Sequence, residues 1–415
     1  MRIFIVLVAS MVFLIACQKD EDSGGVIDFA KPVEVPNPIL ERKVELDTSQ
    51  KVISYPEAGV EFITGHITDL AYLNRAATQI PAIQMDRKGI LYCAWYSNGS
   101  SSPTNQHGEG GGSYATLAVS IDKGETWLEN RLIIAPINIK DCIFDPGLWM
   151  DPMGNVHFIW NKALNWWDWK GGVWETIITY NNRWVINTGP KVLMEQGVMS
   201  NKPTVLEGLN KILYGNFMYN FDSNSQARTR AYASDFNTTG TEITFPVVFS
   251  EVPILPKTLK TYYSEPQFLQ IGDSISCFIR EENSGIYFSK ASLKDNLKNW
   301  KLFKPLTTIG DNPPVRFYIG RLMSGKVLLV TCNAKGRQNM TAYLSTDDGA
   351  TFSKKLLIDP RTSVSYPDVS QGDDGTIYLV YDRERNAAKE IVFAKFTEND
   401  IINNQKVSVK KINSF

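Results

Sequence analysis

The chain has little with which to hold a metal ion. Its three histidines, at positions 66, 107 and 157, do not pair at zinc-ligand spacing, which argues against a zinc enzyme. Of five cysteines, those at 93, 142, 277 and 332 each sit in or beside an apolar run. They read as small core residues, not as a disulfide framework or a metal cluster. Charge of one sign is also lacking: the formal net charge is −1 and the pI about 6.4, with no basic footprint for nucleic acid. No metal, cofactor or nucleic-acid partner is therefore expected. Long helical periodicity is missing as well. Only DNLKNW and FTENDI read as a turn or so of helix.

Nor is there an apolar run long enough for an ordinary membrane span. After Arg2, the stretch Ile3 to Ile15 is a short apolar core, and LIAC puts Cys17 where bacterial lipoproteins are cleaved and lipidated. Residues 1–17 are thus expected to be a lipoprotein signal peptide and 18–38 a flexible acidic linker, leaving 39–415 as one domain. The expected location is the outer membrane of a bacterium, facing outward or towards the periplasm. The expected state is a monomer held to the membrane by its lipid.

What is abundant is turn and strand material: 29 Gly, 20 Pro, 17 Tyr and 10 Trp. One phrase recurs six times: a residue before Pro, an apolar strand, a Gly or Asn turn, and a second apolar strand. It begins near Gln79, Phe144, Asn201, Ser264, Asn312 and Ser365, and its turn residues Gly89, Gly154, Asn210, Gly272, Gly325 and Gly375 lie 50 to 65 positions apart. Such a period, with several short strands per unit, is the signature of propeller blades. The expected fold is all-β, a six-bladed β-propeller. Ser120–Trp127 and Ser345–Phe352 both fit S-x-D-x-G-x-T-[WF], in which Ser and Asp tie down a tight hairpin and the aromatic packs between sheets.

Pro is tolerated at the first position of a strand, and it would hold its neighbour extended and aimed at the central funnel. The neighbours form a ring of candidates for substrate contact: Gln79, Asp145, Lys202, Glu265, Arg316, Tyr366 and Asp368. The loop NQHGEGGGSY adds His107 and Glu109 beside glycines, and Asn165-Trp166-Trp167-Asp168-Trp169 reads as a sugar-stacking platform.

Across the expected domain these residues resemble the sialidase superfamily, six-bladed propellers with Asp-boxes. The segment YSEPQFLQIGDSISCFIRE resembles the one bearing the family's Glu and second arginine, implying Glu265 and Arg280. NAKGRQNMTAYLSTDDGATF resembles the one with the third arginine before an Asp-box, implying Arg337. VSYPDVSQGDDGTIYLVYD resembles the nucleophile segment, implying Tyr366. A neutral phenol approaches an anionic sugar without repulsion and attacks once Glu takes its proton, while guanidinium groups grip the carboxylate.

The chain departs from the family pattern twice. Gln79-Ile80-Pro81 stands where the first arginine is expected, and no Asp lies between Asp86 and Asp122 to serve as acid/base, which leaves Glu109 and His107 in that interval. Arg316, Arg383 or Lys202 would have to supply the missing cation. The resemblance implies a sialidase-like exo-glycosidase for terminal acidic sugars, a poor sialidase that Gln79→Arg would improve. The residues also fit a glycosidase or lyase for another acidic polysaccharide, or a non-catalytic glycan-binding propeller.

Overall fold

The structure, a computed structural model, describes residues 51–413 apart from 66, 68–69, 100–109, 165–167, 182–184, 220–226, 238–241 and 253–259. Cys17, His107, Glu109, Trp166 and Trp167 lie outside the described residues.

Six antiparallel sheets follow one another along the chain. From inner to outer strand, blade one is Arg75–Met85, Leu91–Gly99, Tyr114–Ser120 and Leu128–Pro136, to whose outer edge the hairpin Lys51–Tyr55 and Val60–Thr64 adds two strands. Blade two is Cys142–Met150, Val156–Ala163 and Val173–Tyr180, with Val185–Asn187 and Lys191–Met194 sharing its edge. Blade three is Thr204–Leu206, Lys211–Met218, Arg228–Asp235 and Val247–Glu251; blade four is Gln267–Ile271, Ser274–Glu281, Gly285–Ser292 and Lys304–Pro305. Blade five is Tyr318–Arg321, Val327–Cys332, Gln338–Ser345 and Lys354–Thr362, and blade six is Val364–Gln371, Ile377–Arg383, Glu390–Phe396 and Val409–Lys411.

The core explains why these six sheets make a closed ring. Each blade is apolar on both faces, so several inner strands read as unbroken buried runs, as in Tyr114–Ser120. Six apolar clusters fill the six seams between neighbouring blades. The cluster joining blade six to blade one includes Ile83, Trp95, Val380 and Phe393. Among the described residues no strand is shared across that last seam. Instead, blade-six side chains take up backbone donors of blade one: Ile83 N–H donates to Asp368 Oδ2 at 2.8 Å, Met85 N–H to Ser370 Oγ at 3.0 Å and Ile80 N–H to Asp382 Oδ2 at 2.8 Å.

The local signals have visible causes. All six turn residues of the repeated phrase take positive φ, from 49° at Asn210 to 95° at Gly154. In the two Asp-boxes, Ser120 and Ser345 donate to Asp122 and Asp347 at 2.8 and 2.7 Å, and the Gly124 and Gly349 amides donate back to the serine oxygens at 2.8 and 2.9 Å. Trp127 packs edge-on against Phe393 of the neighbouring blade. Of the helical turns, Leu293–Asp295 is a 3-10 turn, and Glu398–Asn403 is a short helix capped by Thr397 and Asp400.

The prolines depart from expectation. In blades one, two and six Pro81, Pro146 and Pro367 do not begin the inner strand but sit within it at a register shift. The residues before them are not extended: φ is 50° at Ile80, 41° at Asp145 and 56° at Tyr366, and 43° at Glu265 before Pro266. A bulge leaves Pro's missing N–H without consequence, and its extra residue swings the preceding side chain out of the ladder.

Candidate active site

These four residues with positive φ line one cavity of about 210 Å³ at the mouth of the ring, whose lining includes Ile80, Asp145, Glu265, Tyr366, Arg280, Arg337 and Arg385. Left-handed backbone costs a non-glycine residue of order 1–3 kcal/mol, and more for a β-branched one such as Ile80. Arg337, with φ 56°, shares this strain. Strained residues from five blades thus surround a single space.

Tyr366 stands at its centre, its ring packed on Ile80, Tyr96 and Phe144. Arg280 Nη1 donates to the Tyr366 hydroxyl oxygen at 3.3 Å and lies 3.0 Å from Glu265 Oε2. Its Nη2 donates to Glu282 at 3.1 Å. Burial opposes the Arg280 charge, but Glu265, Tyr366 and Glu282 more than restore it and hold the guanidinium above its usual pKa. Burial raises the pKa of Glu282, against the pull of Arg280. Tyr366 and Glu265 form no hydrogen bond with each other. A carboxylate gains more from a guanidinium than from a neutral phenol, so Arg280 Nη1 bridges them.

Three further guanidinium groups surround the tyrosine ring, with Arg385, Arg337 and Arg316 at 4.1, 5.2 and 5.5 Å from its centroid. Arg385 is the residue that sequence reasoning missed. Its Nε donates to Asp382 at 3.0 Å, its Nη1 to Gln79 Oε1 at 3.3 Å and its Nη2 to Ser365 Oγ at 3.3 Å. Gln79, fully buried, therefore does not face the cavity as a weak substitute for an arginine. It accepts from a guanidinium that blade six delivers beside the same place. Arg75, the arginine nearest in sequence, is engaged by Asn130 and lies over the Trp95 ring.

Other candidates stand elsewhere. Arg383 pairs with Glu390 at 2.9 Å and Glu384 at 2.6 Å, away from the cavity. Lys202 and Asp368 form an ion pair at 2.9 Å, with the lysine also donating to the Ile83 and Leu148 carbonyls. They join blades one, two, three and six, and Lys202 lines a separate cavity among blades three to five. Arg316 lies against the Tyr366 ring without lining the main cavity. Asp145 does line it, and its Oδ2 accepts from Ser200 at 3.2 Å. Of the tryptophan platform, Trp169 donates to the Tyr219 carbonyl at 3.2 Å and packs behind the wall formed by Val198, Phe217 and Tyr219.

A family model described as a BNR repeat-like domain matches residues 218–379. Among solved structures, the Hadza microbial sialidase Hz136 aligns with a TM-score of 0.60 at 15% identity, over 80% of this chain and 67% of that one. The NanB sialidase from Streptococcus pneumoniae aligns with a TM-score of 0.57 at 11% identity, over 79% and 69%. A protein of unknown function from Dyadobacter fermentans aligns with a TM-score of 0.57 at 14% identity, over 77% and 94%. The chain shares the fold of these sialidases, a six-bladed propeller. A comparison with curated proteins gives no match. Within this sialidase-like propeller, the three segments singled out in the sequence bring Tyr366, Glu265, Arg280 and Arg337 to one cavity.

Proposed function

We propose that the protein is a glycoside hydrolase that removes terminal acidic sugars from glycans through a tyrosine nucleophile. One observation carries this reading: the Tyr366 hydroxyl and the Glu265 carboxylate meet at one nitrogen of Arg280, in a cavity that Arg337 and Arg385 also line. Among the described residues Arg337 has no carboxylate partner, which makes it the cation most open to an anionic ligand, while Arg385 pairs with Asp382.

In the first step Glu265 takes the phenol proton and the Tyr366 oxygen forms a bond to the anomeric carbon. The bond from that carbon to the leaving oxygen breaks, and the leaving oxygen receives a proton from a carboxylic acid. Among the described residues Asp145 is the second carboxyl group lining the cavity; Glu109, expected for this role, lies outside them. In the second step water attacks the glycosyl carbon and gives a proton to the carboxylate that acted as the acid, while the tyrosine oxygen leaves and takes back its proton from Glu265. Aromatic and aliphatic side chains of blades two and three form the opposite wall, which keeps water out and strengthens the polar contacts. The LIAC sequence at Cys17 supports a lipid anchor, which would place this chemistry at the cell surface.

The test is a panel of aryl glycosides of sialic and uronic acids, with wild type, Tyr366→Phe and Glu265→Gln. Wild type should cleave one class, each variant should lose at least about a thousandfold in kcat, and mass spectrometry of the quenched reaction should find glycosyl-Tyr366. Cleavage by Tyr366→Phe within a few-fold of wild type would overturn the mechanism. Unsaturated products would identify a lyase, and binding without turnover would identify a lectin-like role.

A further inference from the structure

Arg316 is 4% exposed and does not line the cavity, yet its Cζ lies 5.5 Å from the centre of the Tyr366 ring. Its Nε donates to Asn201 Oδ1 at 3.2 Å, and its Nη1 is buried with no partner. No carboxylate among the described residues is within ion-pair distance. The other cation in this region, Lys202, has Asp368 to itself at 2.9 Å. Asp368 is thus committed to Lys202 and not to Arg316, and burial together with the neighbouring Arg316 charge depresses the Lys202 pKa against the pull of Asp368.

A buried guanidinium without a counter-charge is expensive, and an apolar side chain of similar length would fill the same space more cheaply. Its position relative to the site is also fixed. Asn201, which holds Arg316 Nε, donates through Nδ2 to the Glu265 carbonyl at 2.8 Å. The group that would offset this charge is the tyrosine ring itself when its oxygen becomes negative. That happens twice in the scheme above: when Tyr366 loses its proton to attack, and when its oxygen departs as the leaving group.

We infer that Arg316 is a positioning residue that stabilises negative charge on Tyr366 from behind the ring, without touching the sugar. The reaction in which this matters rests on the proposed glycosidase activity; the effect on Tyr366 itself does not. Arg316 thus divides the labour with Arg337 and Arg385, which face the cavity and the ligand. Its loss should slow both chemical steps and leave substrate binding almost intact.

The experiment compares wild type with Arg316→Gln, Arg316→Met and Arg316→Lys in the full chain by two measurements. The first is steady-state cleavage of the acidic aryl glycoside that the panel identifies. The uncharged variants should lose roughly 30-fold in kcat with KM within about twofold, and Lys should recover part of the loss. The second needs no substrate: nitration by tetranitromethane, which proceeds through the phenolate, followed by peptide mass spectrometry. Modification of Tyr366, relative to the other tyrosines in the same digest, should fall several-fold in the uncharged variants and persist with Lys. If wild type cleaves no acidic glycoside, the glycosidase reading fails and nitration alone decides on Arg316. Unchanged Tyr366 nitration in a folded uncharged variant overturns the inference, as does a rise in KM at constant kcat. Should Gln not fold, Met carries the same comparison at nearly the same volume.

Discussion

Gln79→Arg is the substitution on which sequence and structure give opposite answers. Read as a family position lacking its arginine, Gln79 invites restoration. In the structure its amide oxygen accepts from Arg385 Nη1 at 3.3 Å, in a fully buried site where Asp382 is the carboxylate at hand. An arginine here would bring two guanidinium groups to about 4 Å, a repulsion of ~4 kcal/mol at an effective dielectric of 20. It would also delete a hydrogen bond to a charged donor, worth about 1.5–3 kcal/mol. Relaxation into the cavity relieves part of this, so a net loss of about 2–4 kcal/mol in folding stability is expected. Cleavage of the acidic glycoside should fall, because the displaced side chain occupies the ligand's space. Urea unfolding and kcat/KM, measured on the single variant and on Gln79→Arg/Arg385→Gln, decide the matter. The exchange returns one cation to the site and should recover most of the lost stability. A single variant as stable as wild type that also cleaves faster would refute the reasoning.

Arg385→Gln should lower kcat/KM for the acidic glycoside by about one to two decades, the value of one charge-assisted contact, whereas Arg383→Gln should leave it within about threefold; equal effects would contradict the placement of the two side chains. His157 is buried between Asp151 at 3.1 Å and Glu175 at 2.8 Å, and although burial opposes its charge, these two carboxylates raise its pKa to about 9. A raised folded pKa stabilises below the unfolded value near 6.5 and is lost as pH rises through about 9. Unfolding at pH 6 and pH 10 should therefore reveal up to ~3 kcal/mol of pH-dependent stability that His157→Asn lacks, and equal slopes in the two proteins would dismiss it. Cys17 should be the lipid-bearing mature N-terminus, and intact mass of the membrane-extracted protein showing an unmodified start elsewhere would exclude the anchor.

The fold was legible because its punctuation is local. Six hairpins need a residue with positive φ at the turn, and two Asp-boxes carry their hydrogen bonds within a few residues, so the period survives in the sequence wherever the chain goes next. The lining of the cavity was legible only where a motif fixed both residue and orientation, as for Tyr366, Glu265, Arg280 and Arg337. The rest turned on backbone events that residue identity does not announce. Glu384, at φ 46°, breaks the strand alternation after Arg383, whose register partner is Glu390, and so it is Arg385 that reaches the tyrosine. The phrase before each Pro is likewise not equivalent around the ring. Ile80, Asp145, Glu265 and Tyr366 have left-handed backbone and reach the cavity, whereas Lys202 does not adopt it and its ammonium goes to the Asp368 pair instead. Four such residues together cost of order 4–12 kcal/mol, comparable with the net stability of a whole domain. The seams that impose this backbone are filled by large buried side chains and tied across by Asp368, Asp382 and Ser370. Rigidity around the ring is therefore what holds the side chains of the cavity in place, and truncating a seam residue such as Phe393 should loosen the site before it unfolds the propeller.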